Sequence, residues 1–201
     1  MKKKSLLIAL SFVFCLLSVH PLNCCVGRLL VIAVNGSADQ VIMGEMLSVL
    51  INERTGTAVN IVQHDTNACH ETVLEGKADI YISYVGVAQA GMEVPNNVDD
   101  PLEAYAIVSR SYIERFGMVW LRPLGFRGPL TMDTDFKKEG RTLAAPVTTK
   151  EVLKKFPVLD RVINKLGGRI DDKTIGELMK KRENQDVKEV VKEFLKTQGL
   201  I

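Results

Sequence analysis

The sequence predicts an α/β protein with a mostly parallel sheet flanked by helices, and three observations support this prediction. Continuous apolar runs, typical of strands buried on both faces, alternate with segments of helical periodicity. These segments follow one another in a strand-helix-strand-helix-strand order, which favours parallel pairing. From residue 148 onward, charged amphipathic segments predict helices that cover the sheet and expose their lysines and glutamates.

The first half of the chain supplies the alternating strands and helices. Three apolar runs predict strands, namely "RLLVIAV" (28–34), "TAVNIVQ" (57–63) and "ADIYISYV" (78–85). Between them, segments 37–56 and 67–77 predict helices. Ser37 is placed to cap the first, Gly56 ends it, and Gly76 closes the second.

The second half begins with one more helix and one more strand. Pro101 suits a first helical turn, so residues 100–117 predict a helix that ends at Gly117. The next residues, "MVWL" (118–121), predict a short strand whose Trp120 packs in the core. Four charged helical segments then follow, at 148–156, 157–168, 171–183 and 186–199.

The N-terminal segment predicts export. Three lysines precede the apolar run Leu6–Val19, which is too short to span a bilayer, so residues 1–25 are interpreted as a signal peptide and residues 26–201 as the mature protein. Cys24 or Cys25 is a candidate for a lipoprotein anchor. Loss of the three lysines moves the net charge from +2 to about −1, which gives no electrostatic reason to expect nucleic acid as a partner.

No pattern in the chain predicts catalysis, a metal or a cofactor. His64, Cys69 and His70 have a spacing that fits no known metal site. Cys69 has no identifiable partner that would make it a nucleophile. The "NGS" at residues 35–37 lacks the glycine series of a phosphate-binding loop. The sequence therefore predicts a protein that is not an enzyme and uses no cofactor.

Several stretches together resemble one family, the substrate-binding proteins of ABC transporters for glycine betaine, choline and related quaternary amines. They are "QVIMGE" (40–45), "LEGKADIYISYVG" (74–86), "FGMVWLRPLGF" (116–126), the run from Ala144 to Ile170, and "VKEFLKTQGL" (191–200). The resemblance covers nearly the whole mature chain. It implies a type II periplasmic binding protein-like fold.

The same resemblance implies that one of the family's two lobes is missing. In that family, the strand after the tryptophan leads across a hinge into a second α/β lobe, and the chain then returns to the first. Here residues 122–142 join the departure and return points almost directly. We therefore expect a single lobe in which 122–142 is a linker replacing the second lobe. Since such proteins close two lobes around a ligand, we expect weak binding, unless another copy or a separate chain supplies the missing lobe.

Two tyrosines are the candidate aromatic groups of a ligand site. A permethylated ammonium cannot donate hydrogen bonds, so its binders surround it with aromatic faces. Tyr81 and Tyr84 match the two tyrosines of the family's motif, but Ser83 replaces the usual acid and Val85 and Val87 replace threonines. Packing at the strand end is the alternative role for both tyrosines.

Polar residues after the first strand are the other candidates. Asn35, Ser37, Asp39 and Gln40 lie where α/β sheets bind ligands, at the carboxyl end of a strand. The resemblance implies an exported solute-binding component that works with an ABC transporter permease and binds a small quaternary amine. The alternative is a degenerate interaction or structural module of the cell envelope that no longer binds ligand.

Overall fold

The computed structural model describes residues 28–65, 68–92, 98–129 and 141–201. Its strands are β1 (Leu29–Val34), β2 (Ala58–Gln63), β3 (Ile80–Tyr84), β4 (Met118–Trp120), β5 (Arg127–Gly128) and β6 (Thr142–Thr149). Its helices are α1 (Ala38–Thr55), α2 (Ala68–Leu74), α3 (Val85–Met92), α4 (Pro101–Phe116), α5 (Lys150–Lys155), α6 (Leu159–Ile163), α7 (Asp172–Lys181) and α8 (Val187–Thr197). The fold class is confirmed as an α/β lobe with helices on both faces of the sheet.

The sheet is mixed rather than mostly parallel. Its strand order is β2-β1-β3-β6-β4, with β5 paired to β6 off this path. Strand β1 pairs in parallel with both β2 and β3, whereas β6 pairs antiparallel with β3, β4 and β5. The parallel half comes from the strand-helix-strand repeat. The antiparallel half arises because β6 runs back between β3 and β4.

Strand β6 was not predicted, and Pro146 explains why. Proline cannot donate to a strand ladder, so its presence argues against a central strand. Here the Pro146 carbonyl accepts from Leu121 N at 2.9 Å, while the carbonyl of Leu121 accepts from the Tyr105 hydroxyl at 2.8 Å. A helix side chain thus supplies the hydrogen bond that a proline at this position cannot give.

The predicted helix ends in the first half are confirmed. Gly56 and Gly117 terminate α1 and α4 in the left-handed conformation, at φ values of 68° and 65°. Ser37 occupies the N-cap position of α1, but its side chain caps no backbone N–H and instead donates to Asp39 Oδ1 at 2.6 Å. Helix α3, which follows β3 without a break, was not predicted as a helix.

Two hydrophobic clusters lie on opposite faces of the sheet. One joins β1 and β3 to α1 and the four C-terminal helices, and the other joins the sheet to α2, α3 and α4. Leu121, Leu124 and Phe126 belong to the first cluster and are buried. The first part of segment 122–142 is therefore core structure, while the replacement of a second lobe by this segment stays a prediction.

Some predictions fall outside the described residues. These are the signal peptide at 1–25, the lipidation candidates Cys24 and Cys25, and the middle of segment 122–142, from 130 to 140. Within the described ranges, no helix combines the length and the apolar character needed to cross a membrane.

Candidate ligand-binding pocket

A cavity of about 230 Å³ opens at the carboxyl ends of β1 and β3. Its lining consists of Asn35, Gln40, Cys69, His70, Tyr81, Ile82, Ser83, Tyr84, Val87, Gly91, Met92, Tyr112, Phe116 and Pro129. Val87 and Phe116 remain 52% and 37% exposed, so these two side chains stand at an open mouth. The deeper lining is largely aromatic and apolar, which suits a ligand that offers few hydrogen-bonding groups.

An aromatic wall forms one side of this cavity. The His70 ring meets those of Tyr81, Tyr112 and Phe116 edge to face, with centroids 5.9, 5.5 and 5.2 Å apart. Tyr112 also packs edge to face on Phe116, at 5.3 Å. The two rings from α4 are four residues apart, so they share one face of that helix.

Burial sets the protonation state of the polar groups in this wall. The Tyr81 hydroxyl lies 3.0 Å from His70 Nδ1, and burial raises the Tyr81 pKa well above its usual value. Burial also lowers the pKa of His70, so its imidazole is neutral at neutral pH. The Cys69 thiol has a pKa raised by burial to about 11, which keeps it protonated and unreactive. At neutral pH this wall is therefore uncharged.

The loop after β1 is fixed by hydrogen bonds among its own residues. Gln40 Oε1 accepts from Asn35 N at 3.0 Å, and Gln40 Nε2 donates to the Ile82 carbonyl at 3.1 Å. Asn35 Oδ1 accepts from Ser37 N at 3.0 Å. Gln40 thus joins the end of β1 to the end of β3, and these contacts hold the polar rim of the cavity in place.

Tyr84 is anchored differently from Tyr81. Its hydroxyl donates to Asp39 Oδ2 at 2.6 Å, and Asp39 is fully buried. Burial, followed by the neighbouring carboxyl of Asp39, raises the Tyr84 pKa well above its usual value. A Cβ on Gly128 would collide with the Tyr84 ring, so only glycine allows this close approach. Tyr84 therefore links α1 to the segment that precedes β6.

The predicted site residues fall into two groups. Asn35, Gln40, Tyr81 and Tyr84 line the cavity, whereas Ser37 and Asp39 are absent from its lining. Asp39 accepts a hydrogen bond from the Tyr84 hydroxyl and another from the Ser37 hydroxyl. Tyr81 and Tyr84 are three residues apart on β3, so their side chains point to opposite faces of the sheet. They accordingly pack in different hydrophobic clusters.

The sequence did not single out three wall residues as ligand-site candidates, namely His70, Tyr112 and Phe116. The four-residue spacing of Tyr112 and Phe116 was an available signal, because it places both rings on one helix face. Nothing in the sequence alone indicated that this face meets β3.

Replacing Tyr84 with phenylalanine is expected to lower the free energy of unfolding by about 2 kcal/mol, because a buried Asp39 oxygen loses its hydroxyl donor. The ring and its contact with Gly128 are retained, so the change isolates the hydrogen bond. Urea unfolding of both proteins measures the difference. A stability unchanged within about 0.5 kcal/mol would contradict a stabilising role for this bond.

No group of three or more metal-ligating side chains in a suitable arrangement occurs within the four described stretches of the chain. The cavity instead offers aromatic and apolar side chains with a few polar groups at its rim. This kind of lining suits a small organic ligand.

Comparison with known proteins identifies the family. The model for the substrate-binding domain of ABC-type glycine betaine transport systems matches residues 28–132 and 113–197, and the chain belongs to this family. It is 26% identical over 130 residues to EgtU of Helicobacter pylori strain G27, named as an ergothioneine transport permease and binding protein. It is 31% identical over 93 residues to the carnitine transport binding protein OpuCC of Listeria monocytogenes.

The matched regions are only part of these relatives. The alignment with EgtU covers 60% of this chain and 23% of EgtU, and that with OpuCC covers 45% and 30%. The chain thus spans about a quarter to a third of the curated relatives it matches, and the single-lobe interpretation fits this partial coverage. Their names describe transport and solute binding rather than catalysis.

Solved structures support the fold assignment. A crystal structure of a glycine betaine/carnitine/choline ABC transporter superposes with a TM-score of 0.74 at 17% identity, covering 86% of this chain and 98% of the other. Apo YehZ from Escherichia coli superposes with a TM-score of 0.69 at 14% identity, covering 86% and 99%. At these identities, the likeness concerns the fold alone.

Proposed function

We propose that this protein is an extracytoplasmic solute-binding component of an ABC importer, and that its pocket binds a small quaternary ammonium compound. The aromatic wall of Tyr81, Tyr112 and Phe116 is the observation that carries the proposal. Ring faces attract a cation that cannot form hydrogen bonds, and the wall carries no competing charge at neutral pH. Membership of a glycine betaine transport family supports the same ligand class.

We further propose that the isolated chain binds weakly. The cavity of about 230 Å³ lies below the range of about 300 to 1,000 Å³ typical of ligand pockets, and its mouth is open at Val87 and Phe116. Two or three exposed cation–π contacts of about 0.5 to 1 kcal/mol each contribute about 1 to 3 kcal/mol. A millimolar constant corresponds to about 4 kcal/mol, so we expect an affinity no tighter than millimolar. A second copy or a separate chain that covers the mouth would exclude water and raise this affinity.

The proposed partners and location follow from this assignment. A solute-binding component delivers its ligand to a membrane permease, so an ABC permease is the expected partner. Export through the N-terminal signal, with or without an anchor at Cys24 or Cys25, would place the chain on the correct side of the membrane.

A second candidate function is a degenerate interaction module that retains the lobe without binding ligand. The hydrogen bonds within the loop after β1 favour it, because Asn35, Ser37, Asp39 and Gln40 are already engaged with neighbouring protein groups. Ligand titration separates the two functions, since a ligand that prefers the native state must also raise the melting temperature.

Replacing Phe116 with alanine should weaken choline binding about two- to fivefold, through loss of one exposed cation–π contact. NMR titration with choline, glycine betaine and carnitine measures the affinities. Leu102→Ala is the matched control, since Leu102 lies on the same helix, is 63% exposed and does not line the cavity.

Three outcomes of this titration would count against the proposal. A micromolar constant for the isolated chain would contradict weak binding by one lobe. An equal loss of choline affinity in Phe116→Ala and Leu102→Ala would mean that the ligand does not bind beside Phe116. Two or three exposed cation–π contacts correspond to dissociation constants of about 200 mM or tighter. Failure of all three compounds to approach saturation at about 500 mM would therefore favour the degenerate module.

A further inference from the structure

His70 occupies the point where the aromatic wall converges. Its ring contacts Tyr81, Tyr112 and Phe116 at interplanar angles of 78°, 79° and 82°. Its Nδ1 lies 3.0 Å from the Tyr81 hydroxyl, and the imidazole also lines the cavity. A titratable ring therefore lies among the rings that the proposed ligand would contact.

We propose that His70 determines when this pocket accepts a cation, because its neutral imidazole permits binding and its protonated form excludes a cationic ligand. The inference rests on the proposed function and adds a specificity-determining residue to that site. It implies a ligand that is captured at neutral pH and released in an acidic environment.

The two protonation states of His70 act differently on the pocket. With Nδ1 unprotonated, the imidazole accepts a hydrogen bond from the Tyr81 hydroxyl and adds an uncharged ring to the wall. When protonated, the imidazolium is itself a cation within about 6 Å of three aromatic rings, the distance range of cation–π attraction. It would compete for these rings and repel a second positive charge across a short, partly buried distance.

The surroundings of His70 determine where it titrates. The nearby titratable or charged groups are Cys69 and Glu71 on α2, Tyr81 on β3, and Tyr112 and Arg115 on α4. Burial lowers the pKa of His70, and the Glu71 carboxylate opposes this with a smaller effect. Arg115 donates to the carbonyl of Met92, a residue of the cavity lining. The change between the binding and the excluding form of His70 is therefore expected at a pH below the usual titration range of histidine.

Choline is the probe that isolates this effect, because its charge is fixed and it carries no carboxylate. The midpoint of His70 is first determined from the imidazole proton resonances by NMR. Choline affinity is then measured about one pH unit above and below that midpoint. If the protonated form does not bind, linkage predicts that affinity falls about tenfold at the lower pH.

Two variants and one ligand analogue serve as controls. His70→Gln retains hydrogen-bonding groups for Tyr81 but cannot titrate, so it should bind choline with nearly the same affinity at both pH values. His64→Gln removes the other described histidine, which does not line the cavity, and should keep the wild-type dependence. The uncharged isostere of choline, with carbon in place of nitrogen, should bind the wild type independently of pH.

The outcomes distinguish failure of the role proposed for His70 from failure of the proposed ligand-binding function. Choline binding that changes less than about twofold across the wild-type midpoint would overturn the role of His70 and leave the proposed function intact. An equal pH dependence for choline and its neutral isostere would also overturn it, because the change could not then be electrostatic. Absence of binding of choline, glycine betaine and carnitine at every pH would overturn the proposed function and this inference together.

Discussion

Replacing Phe126 with alanine is expected to lower the free energy of unfolding by about 3 to 5 kcal/mol, the range for truncating a buried aromatic side chain. Phe126 is fully buried in the cluster that joins the sheet to α1 and the C-terminal helices. Its carbonyl accepts from Ala144 N at 3.2 Å, so the ring is held where residues 122–129 run beside β6. The alanine variant would leave a cavity that this paired backbone cannot easily close.

Urea unfolding of the wild type and the Phe126→Ala variant measures this loss, with Leu102→Ala as the exposed control. The control should change stability by no more than about 0.5 kcal/mol. A Phe126→Ala loss below about 1 kcal/mol would show that this segment behaves as a tolerant linker. The experiment therefore tests whether residues 122–129 are part of the hydrophobic core, independently of ligand binding.

Replacing Trp120 with alanine is expected to lower the free energy of unfolding by a similar amount, about 3 to 5 kcal/mol. We also expect it to lower the affinity of the pocket for choline. Trp120 is 4% exposed and packs edge to face on Tyr112 at 5.3 Å and on Tyr105 at 6.0 Å. It does not line the cavity, so its effect on choline binding would act through the position of Tyr112. Binding should therefore fall together with stability.

Trp120→Phe is the informative companion to this variant. Within the described part of the chain, the buried indole Nε1 has no hydrogen-bond partner, so phenylalanine removes an unsatisfied donor while keeping an aromatic ring. We expect a loss of less than about 1.5 kcal/mol by urea unfolding and unchanged choline affinity. A loss equal to that of Trp120→Ala would mean that stability at this position requires the whole indole, and that another aromatic ring does not replace it.

The parallel half of the fold was predictable because each of its elements has a local signal. Apolar runs marked β1, β2 and β3, and Gly56 and Gly117 marked helix ends. Strand β6 had no such signal, since Pro146 argues against a central strand and only a side chain distant in sequence compensates for it. The mixed character of the sheet therefore depends on a tertiary contact.

The candidate site was predictable only in part for a similar reason. The polar rim and the two tyrosines were found from strand ends and from the family resemblance. The spacing of Tyr81 and Tyr84 shows that they face opposite sides of a strand, but the contact of Tyr81 with His70, Tyr112 and Phe116 requires knowing how α2 and α4 pack on β3. Helix packing of this kind is set by side chains far apart in sequence.

The hydroxyl of Tyr105 has a mechanical consequence beyond completing the strand ladder. Tyr105 lies on the same face of α4 as Tyr112 and Phe116, seven and eleven residues before them. Its hydrogen bond to the Leu121 carbonyl clamps the N-terminal half of α4 to the edge of the sheet beside β6. A sliding movement of α4 along the sheet would break this hydrogen bond, whereas a tilt about its N-terminal half would keep it. A tilt of α4 that keeps this hydrogen bond would move the Phe116 end of the helix, about 16 Å along the helix axis from Tyr105, and would change the width of the pocket mouth on the Phe116 side.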